Sequence, residues 1–147
     1  MVPVQVKIVN QSDNPLPHYA TPGSAGMDLR AFLDAPVSLQ PMERRLVPTG
    51  LFLELPEGYE GQVRPRSGLA LKQGLTCLNS PGTVDSDYRG EIKVILINLS
   101  GEEQVLQPGD RIAQLVVQRV NKAAWVIADS LTETDRATGG FGSTGKS

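Results

Sequence analysis

The chain has 147 residues, of which 39% are apolar, and a formal charge of −2 from 14 basic and 16 acidic side chains. That length suits one domain with its own hydrophobic core, and the scattered, slightly acidic charge excludes the basic face of a nucleic-acid-binding protein. The lone Cys77 and lone His18 exclude an intrachain disulfide, a cysteine-rich zinc site and a multi-histidine metal site.

The first ten residues, MVPVQVKIVN, carry one lysine and no long apolar run, so no signal peptide is expected. No stretch reaches the roughly 20 apolar residues of a membrane span, which makes a reducing, cytoplasmic setting the default expectation. Val4, Val6 and Ile8 alternate with Gln5, Lys7 and Val9, the period of a first strand. Residues 10–26, rich in Pro, Gly, Ser and Thr, read as a long ordered loop. Strands are expected at 44–55, 61–64, 91–99, 111–120 and 124–128, punctuated by Pro56-Glu57-Gly58, Pro81-Gly82 and Pro108-Gly109-Asp110. Only residues 67–72 read as helix, and no repeat or linker divides the chain. With 15 Gly and 11 Pro, the pattern is that of a single all-β domain.

Some segments carry possible chemistry beside an ordinary structural role. In Arg64-Pro65-Arg66-Ser67-Gly68-Leu69-Ala70, Pro65 holds Arg64 extended, and Ser67 is expected to cap a helical turn whose free amides point outward. Such amides bind anions, although a capped surface turn between solvated arginines fits equally well. Residues 75–79 lead through Asp85, Ser86 and Asp87 to a strong exit strand, a hairpin in which a tip centred on Ser86 sets Asn79 opposite Lys93. The slot between those strands offers backbone groups and the Asn79 amide to the imide edge of a pyrimidine, with Asp85 at the open end able to orient a water. Read locally, Asp85, Ser86 and Asp87 merely cap a turn, and Tyr88 is a strand aromatic.

Further along, Gln114 sits in a strand that is apolar on both faces, so its amide needs a partner, either a neighbouring backbone group or a ligand. The glycine-rich end from Gly140 to Ser147 satisfies the Walker A pattern, but nothing follows Ser147 to form the helix that loop requires. What remains is flexible backbone able to approach phosphate, the Ser143 and Thr144 hydroxyls, the charge of Arg136, and Phe141, an aromatic suited to stacking on a flat ligand.

Taken in order, these segments resemble the five motifs of the trimeric, all-β dUTPases. The matching runs are Ala25-Gly26-Met27-Asp28-Leu29-Arg30-Ala31, then residues 64–70, 82–91, 109–115 and 136–145. The resemblance implies a distorted jelly-roll of the β-clip type. It also implies a core over residues 1–135 and a mobile arm over 136–147 that closes on the active site of a neighbouring subunit. The implied activity is hydrolysis of dUTP to dUMP and pyrophosphate, which keeps uracil out of DNA and supplies dUMP for thymidylate synthesis. Asp85 would orient the water that attacks the α-phosphorus, and Tyr88 would pack under the deoxyribose. Asn79, Thr83, Val84 and Lys93 would read the base, the last three mainly through backbone. Arg66, Ser67, Gly68 and Gln114 would hold phosphates, with Arg136, Phe141, Gly142, Ser143 and Thr144 closing over them. Mg²⁺ would be bound through the triphosphate and waters, with Asp28 in its outer shell and no direct protein ligand. Thr83 stands where the family usually has an aliphatic residue, and Ala137-Thr138 replaces a commonly glycine-containing pair. The competing expectations are a dCTP deaminase, or its bifunctional relative, and a non-catalytic nucleotide-binding module.

Overall fold

Alternating burial builds ten strands and one short helix in a computed structural model that describes residues 2–145. Strand β1 (Lys7–Asn10) pairs with β4 (Arg44–Glu54), β4 with β8 (Glu91–Asn98), and β8 with β6 (Leu75–Cys77), giving the first antiparallel sheet. The second runs β2 (Met27–Arg30), β10 (Arg111–Arg119), β5 (Tyr59–Arg64) and β7 (Gly82–Val84), while β3 (Val37–Leu39) and β9 (Gln104–Leu106) form a separate ribbon. Val47, Ile92, Val94 and Leu96 from one sheet meet Leu29, Ile112, Ala113 and Leu115 from the other in a single buried cluster. Burying each of the larger of these side chains contributes about 1.5–3 kcal/mol, and this continuous core holds the sheets together.

The expected strands at 44–55, 61–64, 91–99 and 111–120 are present within a residue or two, as is the helix, α1 (Ser67–Gln73). The first strand is shorter than its alternation suggests and begins only at Lys7. The expectation at 124–128 is corrected: no strand forms there, because a strand needs a neighbouring edge and no strand of the described residues lies alongside this segment. Its side chains stand in solvent, with Trp125 92% and Ile127 99% exposed. Val120 N still donates to Gly58 O at 3.0 Å, but residues 121–138 are exposed throughout.

A second correction concerns the hairpin. Leu75 pairs with Asn98 and Cys77 with Leu96, and Leu78 N donates to Ile95 O, a register one residue away from the expected one. Asn79 therefore does not oppose Lys93, whose partner is Pro48 on the other side of β8. After Cys77 the chain leaves the first sheet and joins the second, where Val84 pairs with Gly61 and Gly82 with Val63. The Asp85 turn is thus a bridge between sheets rather than the tip of a flat ribbon.

Candidate active site

The bridge between β7 and β8 walls a cavity of about 410 Å³. Its apolar surface comes from Leu46, Val84, Ile92 and Ile95, and its polar groups from Thr83, Asp85, Tyr88, Glu91 and Lys93. Asp85 is exposed, and its carbonyl accepts from Tyr88 N at 3.2 Å. The Arg89 guanidinium fastens the same turn by donating to Ser86 O at 2.7 Å and Tyr88 O at 3.1 Å. The Tyr88 hydroxyl donates to Glu91 O at 3.0 Å, laying the ring against Gly90 so closely that a Cβ there would stand 2.3 Å from the Tyr88 oxygen. A side chain at 90 would therefore displace the ring. Asn79 is exposed beside Gly82, its Nδ2 3.0 Å from where a Cβ of Gly82 would lie.

A second group of side chains gathers where α1 meets β2 and β10. Asp28 Oδ1 accepts from Arg66 Nε at 2.9 Å, and its Oδ2 lies 3.4 Å from a terminal nitrogen of Arg111. The helix begins differently from the expectation: its N-cap is Arg66, extended after Pro65 and making no side-chain capping bond, and Ser67 is the first helical residue. No acidic side chain occupies the first turn, so the exposed start at Ser67 and Gly68 keeps its amides for solvent or an anion. Gln114 Nε2 donates to Pro65 O at 3.0 Å, which meets the amide's need for a partner and ties β10 to the helix start. Gly26 makes room for that amide, since a Cβ there would come within 2.3 Å of Gln114 Oε1. Arg66 and Arg111 also line a smaller cavity of about 180 Å³ with Asp110. Guanidinium forks beside open amides are suited to phosphate oxygens.

The third group is the terminal segment. Arg136 Nε donates to Gly139 O at 2.9 Å, Ser143 N to Gly140 O at 3.0 Å, and Phe141 is fully exposed with a left-handed φ of 51°. Lys146 and Ser147, which complete the glycine-rich pattern, lie outside the described residues. Within one chain the structure brings Thr83, Val84, Asp85, Tyr88 and Lys93 together, and separately Asp28, Arg66, Ser67, Gly68 and Gln114. Among the described residues, Arg136 and residues 141–144 make local hydrogen bonds only.

The dUTPase family model matches residues 12–145, a span that holds every residue of the three groups just described. A deoxyuridine 5′-triphosphate nucleotidohydrolase of Cytophaga hutchinsonii is 60% identical over 141 residues, covering 96% of this chain and 92% of its own. The chain belongs to the dUTPase family. A second nucleotidohydrolase of that name, from Aquifex aeolicus, is 59% identical over 95% of this chain and 93% of its own. Among solved structures, a dUTPase of Staphylococcus bacteriophage 80alpha with dUpNHpp matches with a TM-score of 0.86 at 22% identity, covering 97% of this chain and 99% of its own. A dUTPase from phage phi11 of S. aureus, described with a structural Mg(II) ion, matches with a TM-score of 0.76 at 22% identity, covering 86% and 97%. These two share the fold.

Sequence reasoning passed over two residues in this member of the dUTPase family. Arg111 shares Asp28 with Arg66, and the signal was its place directly before the buried run of β10. Glu91 shares one face of β8 with the expected Lys93 and lines the larger cavity with it, a charged pair in a strand that is otherwise apolar up to Asn98.

Proposed function

We propose that this chain hydrolyses dUTP to dUMP and pyrophosphate, with Asp85 as the catalytic carboxylate. The observation that carries the reading is the exposed Asp85 on the wall of the cavity it shares with Tyr88 and Lys93, in a chain of the dUTPase family. An ionised carboxylate there orients a water and takes its proton as the new oxygen–phosphorus bond forms in line. The bond from the α-phosphorus to the bridging oxygen breaks, and pyrophosphate leaves. The base enters between the backbone of Thr83 and Val84 on one side and of Lys93 on the other, with the Asn79 amide nearby. Tyr88 lies under the sugar and leaves no space for a 2′-hydroxyl.

Phosphates need cations, and the larger cavity alone offers Lys93. Arg66, the Ser67 and Gly68 amides, Gln114 and the Arg136–Phe141–Thr144 arm supply the remainder in a homotrimer whose active sites are shared between subunits, the arm closing over a neighbour's nucleotide. The exposed apolar segment before the arm supports this assembly. Among the described residues no three His, Cys, Asp or Glu side chains gather to hold a metal, a donor set that fits Mg²⁺ carried by the triphosphate and water with Asp28 at one remove. When bound, that ion supplies charge neutralisation at the phosphates. The proposed enzyme of nucleotide metabolism is cytoplasmic; no helix of the described residues is long and apolar enough to cross a membrane. The test is diphosphate release from dUTP, UTP, dTTP and dCTP with Mg²⁺. Release confined to dUTP is expected; ammonia from dCTP, or no release from dUTP, refutes the reading.

A further inference from the structure

The floor of the larger cavity is built on an irregularity in its neighbouring strand. Strand β4 pairs Pro48 with Lys93 and Leu51 with Ile92, so Thr49 and Gly50 are extra residues, a bulge opposite the stretch of β8 that lines the cavity. Bulges leave a ladder group without its regular partner and re-aim the strands beside functional sites. Here side chains take over the ladder's work: the buried Thr49 hydroxyl donates to Ile92 O, and Gly50 N donates to Glu91 Oε1 at 2.9 Å. Glu91 is paired through its backbone with Phe52, so its carboxylate reaches back across the bulge and holds β4 at a second point.

Glu91 is also the seat of Tyr88, whose hydroxyl donates to the Glu91 carbonyl while its ring lies against Gly90. The second carboxylate oxygen lies 3.7 Å from Lys93 Nζ, on the same face of β8. One half-buried carboxylate thus links the bulge, the aromatic wall and the ammonium of the cavity, and it does so beside Asp85 rather than as a substitute for it.

We propose that Glu91 is a positioning residue whose hydrogen bond to the Gly50 amide fixes the start of β8, and through it the Tyr88 ring that distinguishes deoxyribose from ribose. The inference rests on the proposed dUTP hydrolysis. It assigns the bond to Gly50, not the charge on Lys93, as the feature that sets sugar selectivity. Losing the bond leaves a part-buried N–H unpaired and lets residues 90 and 91 shift with the ring they carry.

The experiment compares E91Q, whose amide oxygen can still accept from Gly50, with E91M, which has similar length and no comparable acceptor. Steady-state kcat and KM are measured for dUTP and for UTP. The expected result is that E91M narrows the preference for dUTP over UTP by about tenfold, mostly through KM, while E91Q stays within about threefold of wild type. Equal behaviour of the two variants, or an unchanged preference in E91M, overturns the proposal. Hydrogen exchange at the Gly50 amide of the wild-type protein tests the bond without any variant: slow exchange is expected, and exchange as fast as that of an exposed loop amide overturns it. A wild type that fails to cleave dUTP would instead remove the underlying functional reading, leaving the exchange result to judge the bond alone.

Discussion

Replacing Trp125 and Ile127 together by alanine is expected to weaken self-association without unfolding the individual chain. Neither residue belongs to the buried core; they are 92% and 99% exposed, on either side of Val126 at 88%. If the assembly buries both side chains, each contributes about 1.5–3 kcal/mol, so the pair contributes about 3–6 kcal/mol per docked segment. By the relation of tenfold per about 1.4 kcal/mol, that lowers the association constant by roughly 10²–10⁴ for each segment. Sedimentation velocity over a dilution series reads the change directly, and circular dichroism checks that the sheets persist. A double variant that sediments as the wild type does at every dilution would refute the reasoning, because the segment would then be solvent-facing in the assembly too.

Asp85→Asn is expected to leave dUTP binding within a few-fold of wild type while turnover falls by at least about 10²-fold, measured by calorimetry and diphosphate release; unchanged turnover removes Asp85 from its role. Deleting residues 138–147 should preserve the fold and the sedimentation coefficient per subunit number but abolish efficient hydrolysis, and wild-type rates would exclude the arm from the mechanism. Gly26→Ala places a methyl where Gln114 Oε1 stands 2.3 Å away, so it should cost about 1–3 kcal/mol in thermal unfolding and raise KM, the amide being pushed off Pro65 O. Burial pushes the Cys77 thiol from 9.0 up to about 11. A raised folded pKa favours the folded state below pH 9, and that contribution is lost as pH climbs toward 11, by on the order of 2 kcal/mol. Cys77→Ala should flatten the fall in stability across this window, and an identical slope in denaturant titrations would refute the assignment.

The long strands were legible because their two-residue alternation meets a core on one face: Ile92, Val94 and Leu96 are buried while Lys93 is exposed. Short strands such as β2, β3 and β9 offer three or four residues, too few for a period to stand out, and their pairing depends on partners distant in sequence, as when Val37 meets Leu106. The hairpin register failed for the same reason. Strands β6 and β8 do pair in one sheet, but centring their turn on Ser86 assumes a direct connection, whereas the chain between them detours through β7 of the other sheet, and local turn chemistry carries no record of that. Ser67 was expected to cap the helix from residue type alone; the extended backbone before it extends to Arg66, whose guanidinium is drawn toward Asp28 instead. Asp85 and Gln114 stood out in the sequence as candidates because each is a polar side chain in a turn or in a buried strand, while Tyr88 and Arg66 gained roles only through the resemblance. Glu91 did not stand out, because its partner is a backbone amide freed by a bulge in another strand.

The division of the site and the exposure of the terminal segment pose one physical problem between them. A carboxylate beside a triphosphate is repelled by it, and the cavity holding Asp85 has Lys93 as its only lysine or arginine. The Arg66 and Arg111 guanidiniums are gathered elsewhere, already half-committed to Asp28, and Arg136 bonds only within its own turn. On the proposed reading, neither cavity by itself supplies the cations that a triphosphate requires. Meanwhile Trp125, Val126, Ile127 and Leu131 all stand exposed within seven residues of one segment, a concentration of large apolar side chains that monomeric proteins rarely leave in water. Docking that segment on another copy would bury it and carry the arm that follows to a cavity not its own. Closed cyclic symmetry would repeat the exchange for every subunit, with no chain left giving without receiving. On this proposal the cations missing from each Asp85 cavity arrive by the same contact that removes the exposed segment from solvent, so assembly and catalysis should weaken together on dilution.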